Sequence, residues 1–177
     1  MRTVLLTGHL KVVARPAPWR QERLYWKRVL RSLGLFPILG GAGLVDATED
    51  DILDHIFGGP DYTRLGTLYL GLSSTTPTDA GGNFTEPSGG AYDRVDVVNN
   101  ATNFPGASGG AKANGAEFTF AQATADWVGG ANLTHFGFFD ANVVGNLICW
   151  GALTVPKPVL SGDTARFPIG DLDITLD

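Results

Sequence analysis

Short runs in which apolar and polar residues alternate dominate the chain from residue 65 onward. The clearest early run places a leucine at every second position over residues 67–72. A period of two is typical of a strand with one buried face and one solvated face. The same criterion predicts strands at residues 92–98, 116–120, 133–140, 147–153, 166–169 and 172–176. Short strands joined by Gly-, Pro-, Ser- and Asn-rich linkers predict an antiparallel β-sandwich or jelly roll.

A different period appears near the start of the chain, after a short strand predicted within residues 3–14. Over residues 19–33, the apolar side chains fall in one arc of a helical wheel and the basic side chains in the adjoining arc. Gly34 and Pro37 end this amphipathic basic helix. The residues that we predict to make docking or assembly contacts lie on these arcs: Trp19, Arg20, Trp26, Lys27, Val29, Leu30, Arg31 and Leu33.

A Gly-rich connector at residues 36–44 leads to a second predicted helix, at about residues 47–57. Asp46 and Glu49 have capping-box spacing, and acids favour the first turn of a helix. Ile52, Leu53, Ile56 and Phe57 supply its apolar face. The predicted fold class is therefore mainly β, a small antiparallel sandwich or jelly-roll-like domain preceded by two short N-terminal helices.

The net charge of the chain changes sign at the Gly-rich connector. Residues 1–40 hold eight Lys/Arg and one acid, a net of +7, whereas residues 41–177 hold five Lys/Arg and seventeen acids, a net of −12. Opposite signs suggest separate roles. We predict a basic N-terminal arm at residues 1–43 and a β-sandwich domain at residues 44–177.

Composition narrows the class of protein further. The chain has 177 residues, 44% hydrophobic and only 18% charged, with 24 glycines. This is enough for one domain with its own core. Cys149 is the single cysteine, so we expect a small buried side chain and neither a disulfide nor a zinc site. The first residues are too short and interrupted for a signal peptide or membrane span, which predicts a protein made in a cytoplasm.

Candidate chemistry is weak throughout the sequence. The three histidines are scattered along the chain, with no sign of a nucleophile paired with a base and an acid. Five carboxylates that could serve a glycosidase have no informative spacing: Glu86, Asp93, Asp96, Glu117 and Asp126. The glycines at 40–43 precede a helix that opens with acids, which repel phosphate. We expect no enzyme activity, no cofactor and no metal.

Several consecutive segments carry a resemblance. They include LDHIFGGPDYTRLGTLYLGLSSTTPTDAGGNFTEPSGGAYDRV, NNATNFPGASGGAKANGAEFTF, ATADWVGGANLTHFGFFDANVVGNLICWGAL and GDTARFPIGDLDITLD. Residues 44–177 resemble small tailed-phage virion proteins of the tail-fibre-like structural family, whereas residues 1–43 do not match that pattern. The resemblance implies a virion structural protein made in the bacterial host cytoplasm, a tail or tail-fibre-associated subunit. The alternatives are a capsid decoration subunit and a carbohydrate-binding module for host adsorption.

The expected partners follow from that reading. Long Gly-rich loops and low charge predict a homo-oligomer, a trimer, in contact with other virion proteins. The basic helix could dock on an acidic partner, a membrane, nucleic acid or its own acidic domain. Its aromatic side chains are not interleaved with the basic ones, which argues against nucleic acid. We expect no membrane partner, and a host surface glycan stays open. A sugar binder should expose aromatics such as Trp127 or Tyr92 along a groove, whereas a packing subunit should bury them against neighbouring subunits.

The sequence also makes a prediction about the core. Two adjacent strand candidates alternate large apolar residues with smaller ones. We expect Phe136, Phe138, Ile148 and Trp150 to belong to the packed parts of the domain or to its subunit contacts.

Overall fold

A computed structural model describes residues 2–6, 8–12 and 43–176 of the chain. These ranges are mainly β and contain one α-helix, α1 (Asp46–Ile56). The strands, in chain order, are β1 (Arg2–Leu5), β2 (Gly8–Val12), β3 (Gly43–Leu44), β4 (Thr67–Ser73), β5 (Val95–Val98), β6 (Ala111–Ala113), β7 (Phe118–Thr119), β8 (Leu133–Phe139), β9 (Leu147–Lys157), β10 (Asp163–Phe167) and β11 (Leu172–Leu176).

The strands form two sheets. The larger has the order β5-β4-β8-β9-β2-β11-β6, with β3 also paired to β9, and the smaller has the order β1-β10-β7. The β5–β4, β4–β8 and β8–β9 pairs are antiparallel. Two pairs are parallel, because β1 runs beside β10 and β2 beside β11 in the same direction.

The first strands of the chain therefore lie inside the sheets. β2 separates β9 from β11, and Leu6, between β1 and β2, is fully buried and donates its backbone N–H to the Arg166 carbonyl at 2.7 Å. Residues 13–42, which include the predicted basic helix, lie outside the described residues.

One core serves both sheets. The Phe136 ring on β8 meets the Phe167 ring on β10 with 5.5 Å between centroids. Phe104 contacts both Phe118 on β7 and Phe138 on β8. Burying aromatic side chains of this size is among the largest favourable contributions to a small core. A second cluster lies under α1 and consists of Val45, Phe139, Leu147 and Trp150.

The second cluster explains why alternation fails on the central strands. Six of the seven residues of β8 are buried, although a strand with one wet face should bury every other residue. Phe136 and Phe138 face the main core, whereas Phe139 belongs to the cluster beneath α1. Gly137 lies between these layers, where an added Cβ would come within 2.6 Å of the Leu147 side chain and 3.1 Å of the Cys149 carbonyl.

Most of the predicted strands are confirmed, with different ends. The strand predicted at 166–169 is β10 and begins earlier, at Asp163, and the single strand predicted within residues 3–14 is two strands. The short strands β3 and β6 were not predicted. Phe136, Phe138 and Trp150 are buried and Ile148 packs against the main core, as expected.

The second predicted helix is confirmed as α1, but two details were wrong. Val45 rather than Asp46 is its N-cap, and no side-chain cap hydrogen bond forms. The expected apolar face does not pack on the domain, because Leu53, Ile56 and Phe57 are exposed. The first predicted helix lies outside the described residues.

Candidate functional site

A concave surface lies between α1 and the connection from β8 to β9. This acidic cleft, of about 350 Å³, is bounded by α1, by residues 60–65 and by residues 140 and 146–148. Four carboxylate residues line it: Asp51, Asp54, Asp61 and Asp140. Tyr62 lies at its edge, where burial and then the charge of Asp51 raise the pKa of the phenol.

Helix α1 forms one wall of the cleft and is attached to the sheets only by its first turn. Val45 is 3% exposed and donates its backbone N–H to the Ile148 carbonyl, while Asp46 donates to the Asp79 carbonyl. Thr48 is the only buried residue of the helix itself. In the later turns, Ile52 is partly buried, whereas Leu53 and Ile56 are exposed.

The other wall is a tight turn that presents two valines. Asp140 accepts hydrogen bonds from the backbone N–H of Asn146 at 2.6 Å and from its side-chain amide at 2.8 Å. The chain reverses through Val144 and Gly145, both at positive φ. Val143 and Val144 at the tip are 75% and 80% exposed. A β-branched residue rarely adopts a left-handed backbone, so the turn is held by contacts elsewhere.

Arg94 supplies those contacts. Its guanidinium donates to both oxygens of Glu86, with a shortest distance of 2.6 Å, and to the carbonyls of Ala141 and Val144 at 2.7 and 2.8 Å. It also lies 3.4 Å from the centroid of the Phe139 ring. The Arg94 side chain is only 7% exposed. Charge-assisted, bidentate pairs of this kind fix geometry as well as adding energy.

Glu86 is held from its other side by Tyr92. The Tyr92 hydroxyl donates to Glu86 at 2.7 Å and accepts the backbone N–H of Leu72 at 2.9 Å. Burial, followed by the neighbouring Glu86 charge, raises the pKa of Tyr92 well above its ordinary value. Gly71 leaves room for this arrangement, since an added Cβ would lie 2.8 Å from a Glu86 oxygen. The network joins residues far apart in sequence into one rigid support for the valine turn.

The residues considered for catalysis have structural partners instead. Glu86 pairs with Arg94, Glu117 pairs with Arg166 at 2.9 Å, and Asp126 accepts the backbone N–H of Ser161 at 2.8 Å. Among the described residues, no group of His, Cys, Asp and Glu side chains could hold a metal ion. Glu86, Glu117 and Asp126 are therefore engaged in three separate structural contacts.

Among the side chains that the structure describes, His55, His135 and Cys149 form no nucleophilic pair. His135 is buried beside the Trp150 ring, shares a hydrogen bond with the Thr134 hydroxyl at 2.8 Å, and has its pKa lowered by burial. His55 lies on the exposed end of α1, 3.4 Å from Asp61. Cys149 is buried, as predicted, and burial raises the pKa of its thiol to about 12.

The aromatics that a sugar-binding groove would use are turned inward. Trp127 is 1% exposed and donates its indole N–H to the Gly90 carbonyl at 2.9 Å. Tyr92 packs edge-on against it with 5.0 Å between ring centroids. These two side chains hold the loops of the domain together, so Trp127 does not line an open groove.

The predicted docking residues are not among those that the structure describes. All eight, from Trp19 to Leu33, lie within residues 13–42. The sequence reasoning missed the acidic cleft, the valine turn and the Arg94 network. Two signals were available: consecutive valines before a glycine, in a chain with few charges, and a single arginine between two aspartates in the strand candidate at residues 92–98.

Comparison with known proteins supplies one match. The family model described as "Podophage GP4 fiber I protein gp80" matches residues 43–175, which extend from β3 to β11 and include α1, the cleft and the valine turn. A search of curated proteins found no match. Within the described residues, no helix is long and apolar enough to cross a membrane.

Proposed function

Since the chain belongs to the podophage GP4 fiber I protein gp80 family, and is therefore a phage fibre-family virion protein, we propose that it serves as a non-enzymatic subunit associated with the tail fibre. The observation that carries this proposal is the extent of the match, which includes both the core strands and the exposed α1 and valine turn. The family pattern thus covers the surfaces that could make contacts as well as the fold.

The geometry supports an assembly role better than a catalytic one. Three large apolar side chains are the most exposed among the described residues: Phe57, directly after α1, and Val143 and Val144 of the valine turn. Exposed apolar surface that is held by a rigid network is typical of an interaction site. Three of the five carboxylates considered for sugar hydrolysis, Glu86, Glu117 and Asp126, are tied to Arg94, Arg166 and a backbone amide, which supports a non-enzymatic role.

The fold suits such a role. We propose a small β-sandwich-like arrangement of the two sheets, supported by the Phe136–Phe167 contact between them. Such a domain leaves edge strands whose backbone groups a neighbouring subunit could pair. We further propose that the chain forms a homo-oligomer, a trimer, which also contacts other virion proteins.

The basic segment is the proposed attachment element. Residues 13–42 connect β2 to β3 and carry the eight residues predicted to dock: Trp19, Arg20, Trp26, Lys27, Val29, Leu30, Arg31 and Leu33. Buried apolar side chains contribute about 1.5–3 kcal/mol each, whereas exposed ion pairs contribute about 0–1 kcal/mol. The apolar stripe should therefore dominate binding, with the basic stripe selecting an acidic surface.

Fractionation of the virion tests this proposal. Purified particles are separated into heads and tails, each fraction is analysed by mass spectrometry, and intact tails are labelled with an antibody for electron microscopy. We expect the protein in the tail fraction, with label at the fibres. Its absence from particles would contradict a virion role. Its presence in heads alone would favour the capsid decoration alternative, and glycan-array binding by purified protein would favour the adsorption module.

A further inference from the structure

The outer side of α1 is amphipathic and acidic, and its large apolar side chains are exposed. At 100° per residue, Asp46, Glu49, Asp50, Leu53, Ile56 and Phe57 fall within one arc, while Thr48 and Ile52 face the sheet. Leu53, Ile56 and Phe57 are 43%, 60% and 79% exposed. The acids occupy the first turns of this arc and the apolar residues the last. We call it the α1 outer face.

The sequence contains one segment with the complementary pattern. Residues 19–33 hold five Lys/Arg and one acid, next to an apolar stripe that includes two tryptophans. Residues 46–57 hold five acids and no Lys/Arg. Both segments thus have an apolar stripe beside a charged one, and the charges are opposite in sign. Apolar burial with flanking opposite charges is the usual basis for pairing of two amphipathic helices.

The topology places the ends of the basic segment beside α1. β2 pairs with β9 at Gly8–Leu153 and His9–Ala152, and β3 pairs with the same side of β9 at Gly43–Trp150 and Leu44–Cys149. The segment leaves the sheet after Val12 and returns at Gly43, only three residues before α1 begins. Because the nine residues between Leu33 and Gly43 can span roughly 30 Å when extended, the predicted helix can reach α1 of its own chain.

We propose that the basic helix of residues 19–33 docks on the α1 outer face of the same chain. A segment tethered at both ends beside its binding surface has a high effective concentration there, which favours the same chain over a second copy. Docking covers Leu53, Ile56 and Phe57 with the Trp19–Trp26–Leu33 stripe and sets the basic side chains against Asp46 and Asp50. The inference rests on the docking role proposed above for residues 19–33.

Tryptophan quenching in purified full-length protein tests the contact. The chain has four tryptophans, of which Trp127 and Trp150 are buried. Any increase in acrylamide quenching over that of the wild type therefore reports on Trp19 and Trp26. We compare the wild type with the Leu53→Gln/Phe57→Gln variant and with Ile169→Gln, a control that changes an apolar residue exposed elsewhere. Since the altered residues are exposed, all three proteins should have the same circular dichroism spectrum.

We expect the Stern–Volmer constant of the α1 variant to rise about twofold, because two further tryptophans become accessible to solvent, while the control matches the wild type. Equal quenching in all three proteins would overturn the proposal. This measurement uses no virions, so a failed docking result and a failed tail assignment are distinguishable.

Cross-linking identifies the chain that supplies the helix. Lys27 is the single lysine of residues 19–33, so a zero-length carbodiimide reagent can join it only to a carboxylate that it touches. We use protein assembled from an equal mixture of unlabelled and isotope-labelled subunits. Cross-linked peptides joining residues 19–33 to residues 46–57 should carry one isotope each. Cross-linked peptides that combine the two isotopes would show docking on a second copy. If no cross-linked peptide joins the two segments and quenching is also unchanged, docking on α1 is contradicted altogether.

Discussion

Arg94 illustrates how much one side chain can organise. It neutralises Glu86, donates to two carbonyls of the valine turn and covers the Phe139 ring, all from a position that is 7% exposed. Replacing it with alanine leaves Glu86, which is 24% exposed, without its counter-charge and frees the turn. We expect Arg94→Ala to lower the free energy of unfolding by about 3–5 kcal/mol in urea denaturation.

Two further variants separate the contribution of the Arg94 charge from those of its hydrogen-bond geometry and its burial. Arg94→Lys keeps the charge but cannot form the bidentate pair and reach both carbonyls, so its loss should be intermediate. Glu117→Gln breaks the half-exposed pair with Arg166 and should cost at most about 1 kcal/mol. If Arg94→Ala costs no more than Glu117→Gln, the turn is held by other contacts.

The buried aromatics of adjacent strands give a second prediction at this scale. Phe138 is 1% exposed in the main core and Trp150 is 3% exposed in the cluster beneath α1. Truncation of either to alanine removes a large apolar side chain and leaves a cavity, which should cost about 3–5 kcal/mol. Thermal or urea unfolding measures the loss. Val98→Ala, at a half-exposed position on β5, is the control, and losses below about 1 kcal/mol in both core variants would contradict the assigned faces.

His135 makes stability depend on pH. Burial lowers the pKa of His135 below its ordinary value of about 6.5, so the unfolded chain takes up a proton before the folded chain does. Its contribution is therefore fully present above pH 6.5 and is lost as the pH falls from there through the folded pKa. We expect the free energy of unfolding to decrease between pH 7 and about pH 5.5.

The variant His135→Gln isolates this effect. It removes the titrating ring but leaves His55 and the acids unchanged, so its unfolding free energy should fall less over the same range. If the unfolding free energy of the wild type and of the variant changes equally with pH, other groups cause the pH dependence.

At the scale of elements, the valine turn is strained where it is most exposed. Val144 adopts φ 62° and is 80% exposed. Asn tolerates a left-handed backbone, so Val144→Asn should stabilise the isolated protein by about 1 kcal/mol. Val143→Asn is the matched control, since Val143 has no positive φ, and its stability should change by less than about 0.5 kcal/mol. Melting temperatures of the two variants check this, and a destabilised Val144→Asn protein would refute the strain.

The elements also show what a single sequence can and cannot predict. Strands such as β4 and β8 were predictable because several apolar residues repeat within each. β3 and β6 span two and three residues, too few to express a period. Helix α1 was predictable as a helix, but apolar residues at helical spacing look the same whether they pack on the domain or face outward. The Arg94–Glu86 pair joins two loops, and its partners have no characteristic spacing.

At the scale of the whole molecule, the open sheet edges favour association. β5 and β6 end the larger sheet, and β1 and β7 end the smaller one. Edge strands with unpaired backbone groups are commonly covered by a neighbour in the assembled state. We expect purified protein at micromolar concentration to give the mass of a homo-oligomer, a trimer, in light scattering. A strictly monomeric mass, together with a failure to join particles, would contradict this.

The two parallel strand pairs also determine how the domain responds to a pulling force. β1 lies parallel to β10, and β2 lies parallel to β11, so strands near the start of the described chain run beside strands near its end. A force applied through residues before β1 and after β11 slides each pair along its own axis. The interstrand hydrogen bonds are then loaded together rather than opened one after another, because they cross the direction of pull. A tail component built in this way resists tension along the chain and yields more readily to peeling from the side.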